Sequence, residues 1–224
     1  MRKLIVNTFM SLDGVMQAPG GPDEDPTDGF KHGGWAVNYF DDEMMGQMAD
    51  SGPYELLLGR GTYEIFAAHW PYADGPIADQ LNGTRKHVAS TTLDRADWSN
   101  STVIDGDVAA YVTELKGQDG PEVQVHGSPG LIQTLLEHDL IDEYRLWIFP
   151  VVIGKGKRFF GNGTSAGALK LVDSKVSNTG VTINTYVRAG DIDPGSFEFE
   201  EPTEAELRRR RRLAADWTAV QSSS

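Results

Sequence analysis

Residues 55–64 read ELLLGRGTYE, an apolar run that passes directly through a Gly-Arg-Gly-Thr turn into helix-forming residues. The pattern predicts a buried strand over residues 54–58 and a helix over residues 62–68. Helix N-terminal amides, a hydroxyl and a guanidinium attract phosphate when they meet at one turn. Gly59, Arg60 and Thr62 are therefore candidates to bind phosphate, although such a turn also arises as a plain helix cap with a solvated charge.

Two further strand ends carry similar residues. Residues 123–131, VQVHGSPGL, again give strand, glycine turn and helix, and Gly127 and Gly130 would allow a pyrophosphate or nicotinamide to approach the backbone closely. Residues 86–92, KHVASTT, place hydroxyl groups at the end of a predicted strand, where ligands bind in open α/β sheets. The three segments together favour a phosphate-bearing ligand, and the alternative is that all three are ordinary loops.

Strand and helix patterns alternate along most of the chain, which predicts an α/β fold with a mostly parallel sheet flanked by helices. Residues 168–177 and 180–188 predict a closing antiparallel hairpin. Residues 17–34 are dense in Gly, Pro and Asp and predict a long loop of the kind that covers active sites. The other predicted strands are residues 3–9, 86–90, 102–104, 122–126 and 143–152, and the other predicted helices are residues 41–50, 107–116 and 130–137.

The composition changes after Gly190, so we expect one domain over residues 1–190 and an appendage over residues 191–224. The appendage holds eight acidic residues and a run of five arginines, against 25 acidic and 15 basic residues in the preceding part. Its segment Thr203-Glu204-Ala205-Glu206 fits a capping box, which predicts a C-terminal helix from about Glu204. The arginine run, behind so many glutamates, fits internal ion pairs better than a nucleic-acid surface.

The composition excludes several classes of function. The 224 residues include no cysteine, so disulfides, a thiolate nucleophile and Cys-ligated metals are excluded. The five histidines show no metal-ligand spacing, so we expect no metal site. A net charge of -13 argues against a nucleic-acid partner. No apolar stretch approaches a membrane span and no export signal is present, so we expect a cytoplasmic protein without a membrane partner.

An ordered set of motifs resembles the dihydrofolate reductase superfamily, and within it the branch related to the C-terminal reductase domain of the bifunctional riboflavin-biosynthesis deaminase-reductase. The motifs follow the family order over about residues 1–188. They are Ser11-Leu12-Asp13-Gly14, the Leu58–Glu64 segment, Lys86–Thr92, the His126–Leu131 segment, and Asp142 through Pro150 to Phe160.

The resemblance implies an NADPH-dependent reductase. The first glycine turn would bind the cofactor phosphates, the strand-end hydroxyls the adenosine side and its 2′-phosphate, and the second turn the pyrophosphate and nicotinamide. The two residues that flank the Ser-Leu-Asp-Gly segment would border the nicotinamide. The matching positions are Phe9, Met16, Gly59, Arg60, Thr62, Ser90, Thr91, Gly127, Ser128, Gly130 and Leu131.

The resemblance also names candidates on the substrate side. Asp13 would orient a ribosyl hydroxyl or relay a proton, or else form only an Asp-Gly turn. Glu43 matches the acid that dihydrofolate reductases carry on the first helix, or else complements the helix dipole. Trp35 and Trp70 would stack against a flat heterocycle, or else anchor the core or a loop.

The leading prediction is reduction of 5-amino-6-(5-phosphoribosylamino)uracil or a similar small molecule, with the protein acting as a homodimer. Residues 33–35, GGW, stand where folate reducers have Leu-Pro-Trp, and Ser128-Pro129 replaces more glycine-rich sequence, which argues against folate. The alternatives are dihydrofolate reductase, another reductase of this fold, and a nucleotide-binding module without catalysis. A nucleic-acid-associated protein that acts through Arg208–Arg212 is a further alternative.

Overall fold

The computed structural model describes residues 1–49, 51–161, 164–197, 199 and 201–221. The chain forms two compact units, Met1–Asp191 and Ile192–Ser224. The strands are β1 Leu4–Ser11, β2 Tyr54–Gly59, β3 Lys86–Ala89, β4 Ser101–Val103, β5 Glu122–Val125, β6 Glu143–Phe149, β7 Leu169–Val176 and β8 Thr182–Arg188. The α-helices are α1 Asp42–Ala49, α2 Arg60–His69, α3 Pro76–Gly83, α4 Val108–Gly117, α5 Pro129–Glu137 and α6 Glu204–Gln221. Single 3-10 turns occupy Thr27–Gly29, Val37–Tyr39 and Trp70–Tyr72.

The eight strands form one sheet in the order β4-β3-β2-β5-β1-β6-β8-β7. The strands from β4 to β6 pair in parallel, whereas β8 pairs antiparallel with both β6 and β7. The predicted fold class is therefore confirmed, including the antiparallel hairpin at the end of the domain. The hydroxyl-bearing and glycine-bearing turns all follow parallel strands, which brings them to the same edge of the sheet.

The apolar runs of the central strands reflect burial on both faces of the sheet. Leu57 of β2 belongs to a core cluster with Val125 and Ile132, while its neighbours Leu56 and Leu58 belong to a second cluster. All three leucines are fully buried. Because successive side chains of a strand point to opposite faces, a strand covered on both sides reads as a continuous apolar run.

The end of one predicted strand was wrong, and one helix was missed. The strand predicted over residues 143–152 ends at Phe149, because Pro150 follows and the Val151 N–H turns back to the Phe149 carbonyl at 2.8 Å. The missed helix is α3, which begins at Pro76 after a glycine with a φ of +107°. Proline in the first turn after a glycine is a start signal that the sequence does contain.

Strand β3 begins with a buried lysine that organises its surroundings. The Lys86 ammonium donates to the carbonyls of Thr84 at 2.6 Å, Ser99 at 3.0 Å and Asn82 at 3.3 Å, and it lies 4.1 Å from the centroid of the Trp98 ring. Burial lowers the pKa of Lys86 to about 8. The lysine thus satisfies carbonyl groups at the end of α3 and positions the strand that leads to the predicted cofactor hydroxyls.

The C-terminal unit contains α6, which begins at Glu204 as the capping box predicts. The Glu206 N–H donates to the Thr203 hydroxyl at 3.3 Å, but the Glu206 carboxylate accepts from Arg209 at 2.6 Å and Arg210 at 2.9 Å instead of closing the box. These hydrogen bonds from Arg209 and Arg210 lower the pKa of Glu206 to about 2. Across the residues that the structure describes, no helix is both long and apolar enough to span a bilayer.

Candidate functional site

The two glycine turns predicted to bind a cofactor are joined by hydrogen bonds. Strands β2 and β5 are neighbours, so the turns that follow them lie side by side. The Gly59 N–H donates to the Ser128 hydroxyl and the Ser128 N–H donates to the Thr62 hydroxyl, both at 2.9 Å. The first helical turns of α2 and α5 are therefore held together as one structure.

The second turn owes its shape to two residues with positive φ. Gly127 has a φ of +56° and Ser128 a φ of 64°. A Cβ atom on Gly127 would lie 3.1 Å from the Thr62 hydroxyl oxygen. Glycine is needed here for both conformation and space, and the group that approaches it most closely is Thr62 itself. Gly130 has open space at its Cα, and Leu131 packs into the core.

Neither α2 nor α5 has a side chain that caps its N-terminus. Uncapped amides and the helix dipole favour an anion at such a position. Beside the start of α2, Arg60 donates to Glu64 at 2.8 Å and to the Thr92 hydroxyl at 2.7 Å. The guanidinium thus reaches from the first turn to the hydroxyl-bearing end of β3.

The predicted hydroxyl pair after β3 forms a tight local turn. The Ser90 hydroxyl accepts from the Thr92 N–H at 3.2 Å and from the Leu93 N–H at 3.0 Å. Thr91 is exposed between them. Thr92, which the sequence prediction did not include, is the residue that contacts Arg60. The sequence shows three consecutive hydroxyl residues, Ser90, Thr91 and Thr92. The geometry of this turn decides which of them contacts Arg60.

A cavity of about 250 Å³ lies next to the joined turns. Of the predicted residues, Phe9, Met16, Thr62, Trp70, Gly127 and Ser128 line it. Phe9 packs edge-to-face against Phe40, Trp147 and Phe149 at centroid distances of 5.4, 5.6 and 5.5 Å. The lining residues with polar or titratable side chains are Asn7, Thr8, Gln17, Glu24, Asp25, Ser51, Tyr54, Thr62, Trp70, His126, Ser128 and Trp147.

The two predicted tryptophans have different positions. Trp70 lines the cavity and packs edge-on against Phe66 at 6.2 Å. Trp35 is not among the described lining residues; its indole N–H donates to the Gln17 carbonyl at 2.8 Å, and its ring packs edge-on against Phe149 at 5.3 Å. Trp35 thus anchors the long loop to the core, which was the alternative that the sequence left open.

A polar network lines one side of the cavity. The Trp147 indole N–H donates to the Asn7 carbonyl oxygen at 2.8 Å, and the Asn7 amide donates to Gln124 at 3.2 Å. Gln124 also contacts His126 Nε2 at 2.9 Å and donates to Glu122 at 2.7 Å. These side chains project from three adjacent strands, β1, β5 and β6, which explains why residues so distant in sequence meet.

Asp13, predicted on the substrate side, is surrounded by hydrogen-bond donors. Its carboxylate accepts from the Ser11 hydroxyl at 2.7 Å, the Gly154 N–H at 2.9 Å, the Ile153 N–H at 3.0 Å and Arg158 at 3.3 Å. Burial acts to raise the pKa of Asp13, but these hydrogen bonds outweigh it and hold the pKa at about 2. Asp13 is not among the described lining residues, and its geometry is that of a structural link between two loops.

Glu43, the predicted proton donor, lies exposed in the first turn of α1 and is not among the described residues that line the cavity. Its position fits the helix-dipole alternative. A different acid, Glu24 of the long loop, does line the cavity. The Glu24 carboxylate accepts from the backbone N–H groups of Gly20 at 2.5 Å and Gly21 at 3.1 Å. Burial raises the pKa of Glu24 despite these two hydrogen bonds.

The sequence prediction missed most of the polar residues of the cavity, although some carried a signal. Asn7 directly follows the apolar run Leu4-Ile5-Val6 of β1, and His126 stands at the end of β5 immediately before the glycine turn. A polar residue inside a buried strand demands a hydrogen-bond partner, so both could have been proposed as site residues. Glu24 carried no comparable signal, because only the path of the loop brings it to the cavity. Among the described residues, no three His, Asp or Glu side chains form a metal-binding group.

Comparison with known proteins finds similarity over most of the chain. The sequence is similar to two proteins of Bacillus subtilis (strain 168), YyaP and YwjB, each 26% identical. The YyaP match spans 194 residues, 83% of this chain and 94% of YyaP, and the YwjB match spans 193 residues, 84% of this chain and 99% of YwjB.

Two solved structures share the fold. One is a protein from Shewanella sp. PV-4 assigned to riboflavin biosynthesis, with a TM-score of 0.60, 22% identity, and coverage of 84% of this chain and 99% of that one. The other is a pyrimidine reductase-like protein from Corynebacterium diphtheriae, with a TM-score of 0.53, 12% identity, and coverage of 85% and 93%. The sequence model of the RibD C-terminal domain matches residues 2–183. The chain therefore belongs to the RibD C-terminal domain family.

Proposed function

We propose that this protein is an NADPH-dependent reductase of a small heterocyclic substrate. Its family implies a reductase-type oxidoreductase. The observation that carries the proposal is the pair of turns joined through Ser128, with two uncapped helix N-termini beside one cavity. A dinucleotide needs several convergent N–H groups and a cation for its phosphates, and an acidic chain must provide them locally.

The residues present fit such a cofactor. The amides at the start of α2 and α5 would hold its pyrophosphate, and Arg60 with Ser90, Thr91 and Thr92 would hold a ribose phosphate. The Gly59 N–H and the Thr62 hydroxyl hold Ser128 in place and so shape the site, and the Thr62 hydroxyl, which accepts from Ser128, can still donate to a phosphate. When bound, the nicotinamide supplies a hydride.

The chain must itself supply a proton, and Glu24 is the group best placed to do so. Among the described residues that line the cavity, four carry titratable side chains. Asp25 is paired with Lys157 at 2.6 Å, burial raises the pKa of Tyr54 to about 12, and burial lowers the pKa of His126 to about 4. Burial raises the pKa of Glu24 whereas the contacts with Lys157 and Thr27 lower that of Asp25, so Glu24 is the carboxylic acid of the cavity that keeps its proton to the higher pH. We propose that it protonates the nitrogen or oxygen of the reduced C=N or C=O bond.

The part of a substrate that fits the cavity best is a flat, uncharged ring. The cavity walls carry aromatic side chains together with amide, imidazole and indole groups, which suit stacking and neutral hydrogen bonding. One structural neighbour is described as pyrimidine reductase-like and another is assigned to riboflavin biosynthesis. These names support 5-amino-6-(5-phosphoribosylamino)uracil or a related pyrimidine as the substrate.

The test is titration of NADPH and NADH with the wild type and Arg60→Ala, followed by dinucleotide fluorescence. We expect Arg60→Ala to weaken NADPH binding about tenfold or more and NADH binding less, because a charge-assisted hydrogen bond to the extra phosphate is lost. Arg95→Ala is the matched control, since Arg95 is exposed and pairs with its neighbour Asp97. If neither dinucleotide binds the wild type, the proposed function is wrong. If Arg60→Ala binds NADPH normally, the phosphate site is wrong.

A further inference from the structure

The direction of each hydrogen bond in the polar network of the cavity is fixed from one end by Trp147. An indole N–H can only donate, so the Asn7 atom that it contacts at 2.8 Å must be the carbonyl oxygen. The other end of the Asn7 amide is then its NH₂ group, which donates to Gln124 at 3.2 Å. The Gln124 atom at that position must therefore be its carbonyl oxygen.

The same direction is imposed from the other end of the network. Arg145 donates to the two carboxyl oxygens of Glu122 at 2.8 and 3.2 Å, so both oxygens of Glu122 act as acceptors. Gln124 contacts this carboxylate at 2.7 Å and must turn its NH₂ group toward it. The contact of Trp147 with Asn7 and the contact of Gln124 with Glu122 thus require the same orientation, in which the Gln124 carbonyl oxygen faces Asn7 and His126.

The orientation of Gln124 determines which nitrogen of His126 carries the proton. His126 Nε2 lies 2.9 Å from the Gln124 carbonyl oxygen, so Nε2 must donate. Burial, and then the nearby Arg145 cation, lower the pKa of His126 to about 4, and the imidazole is neutral at pH 7. A neutral imidazole has a single N–H group, which leaves Nδ1 as a bare acceptor.

Nδ1 of His126 makes no hydrogen bond to a described residue, and it is not one of the fully enclosed atoms without a partner. The ring packs against Tyr54 and Phe66 at centroid distances of 5.8 and 6.5 Å, and the residue lines the cavity. An acceptor without a partner among the described residues, on a side chain that lines the cavity, is satisfied by a donor from whatever fills the cavity.

We propose that Gln124 is a positioning residue that locks His126 in the Nε2–H tautomer, so that Nδ1 accepts a hydrogen bond from a ring N–H or amino group of the substrate. This inference rests on the proposed function, which identifies the cavity as the substrate site. It narrows the substrate class to neutral planar heterocycles that present an N–H donor edge. A carboxylate or a fully N-alkylated ring has no donor for this nitrogen.

The tautomer is tested by ¹⁵N NMR of histidine-labelled protein at pH 7. We expect His126 of the wild type to show the pattern of a neutral ring protonated on Nε2, and Gln124→Leu to lose that pattern in favour of a tautomer mixture. His87 is the internal control, because its two ring nitrogens contact Tyr111 and Glu55 and involve neither Gln124 nor the cavity. A wild-type spectrum with the proton on Nδ1, or with a doubly protonated ring, overturns the inference even if the variant does not fold.

The donor requirement is tested with uracil and 1,3-dimethyluracil as probes, each in large excess. We expect uracil to shift the Nδ1 resonance of His126 and the dimethylated ring, which lacks N–H groups, to leave it unchanged. His126→Phe should weaken uracil binding about fivefold, the effect of one lost hydrogen bond, and leave the other probe unaffected. If uracil and 1,3-dimethyluracil shift the Nδ1 resonance equally, the proposed substrate class is wrong. Failure of the proposed function would appear separately, as a lack of dinucleotide binding.

Discussion

Asp13 and Glu24 lie eleven positions apart in the loops that follow β1, yet their surroundings shift their pKa values in opposite directions. Four donors surround the Asp13 carboxylate and lower its pKa to about 2. Glu24 has two backbone donors, and burial beside Asp25 raises its pKa. The comparison teaches that donor count and burial, rather than residue type, decide which acid holds a protein together and which can exchange a proton.

The sharpest way to break this comparison is to neutralise the acid of the cavity. Glu24→Gln should lower NADPH-dependent turnover of 5-amino-6-(5-phosphoribosylamino)uracil about 100-fold, because it removes the proposed proton donor while keeping its shape. NADPH affinity should stay unchanged, as measured by fluorescence titration. Asp23→Asn, an exposed neighbour in the same loop, is the matched control. Normal turnover by Glu24→Gln would remove Glu24 from the mechanism.

Neutralising Asp13 tests its structural role. Asp13→Asn should lower the free energy of unfolding by about 2 kcal/mol, measured in urea, because an amide cannot accept from every donor that faces it. Asp74→Asn changes an exposed aspartate and should have almost no effect. Dinucleotide affinity should be the same in both variants, and a selective loss of affinity in Asp13→Asn would return Asp13 to the functional site.

The difference in unfolding free energy between the wild type and Asp13→Asn should depend on pH, because the pKa of Asp13 is lowered. A folded-state pKa below the unfolded value of 3.8 means that the carboxylate stabilises the fold fully above that pH. The stabilisation is lost as the pH falls from about 4 toward 2. The gap in stability between wild type and Asp13→Asn should therefore close over this range in acid titrations followed by circular dichroism. A gap that stays constant would show that Asp13 keeps an ordinary pKa.

The smallest effect concerns the charge next to Glu24. Asp25→Asn should lower the pKa of Glu24 by a few tenths of a pH unit, because the neighbouring carboxylate is one of the causes that raise it. Carbon-13 NMR of the glutamate carboxyl groups gives this pKa directly. An unchanged Glu24 pKa would assign the whole increase to burial.

The sequence was sufficient for the fold, and six of the predicted residues line the candidate cavity. Continuous apolar runs such as residues 54–58 marked buried strands, and glycine turns marked where strands pass into helices. The bond from Gly59 to Ser128 could not be predicted, because it depends on β2 lying next to β5 rather than next to its neighbours in sequence. The hydrogen bonds of Asp13 could not be predicted for the same reason, since two of its donors lie about 140 residues away.

The order of the sheet also has a consequence for how the protein is made. Strand β1 lies between β5 and β6, so Leu4 pairs with Val123 and Ile5 with Glu143. A ribosome completes β1 more than a hundred residues before either neighbour exists, and the apolar segment Leu4-Ile5-Val6 must stay unpaired in the meantime. Contacts so distant in sequence slow folding, and until they form the unpaired strand β1 is the segment most prone to non-native association. Successful synthesis in the cell therefore depends on protecting these few residues until the second half of the domain emerges.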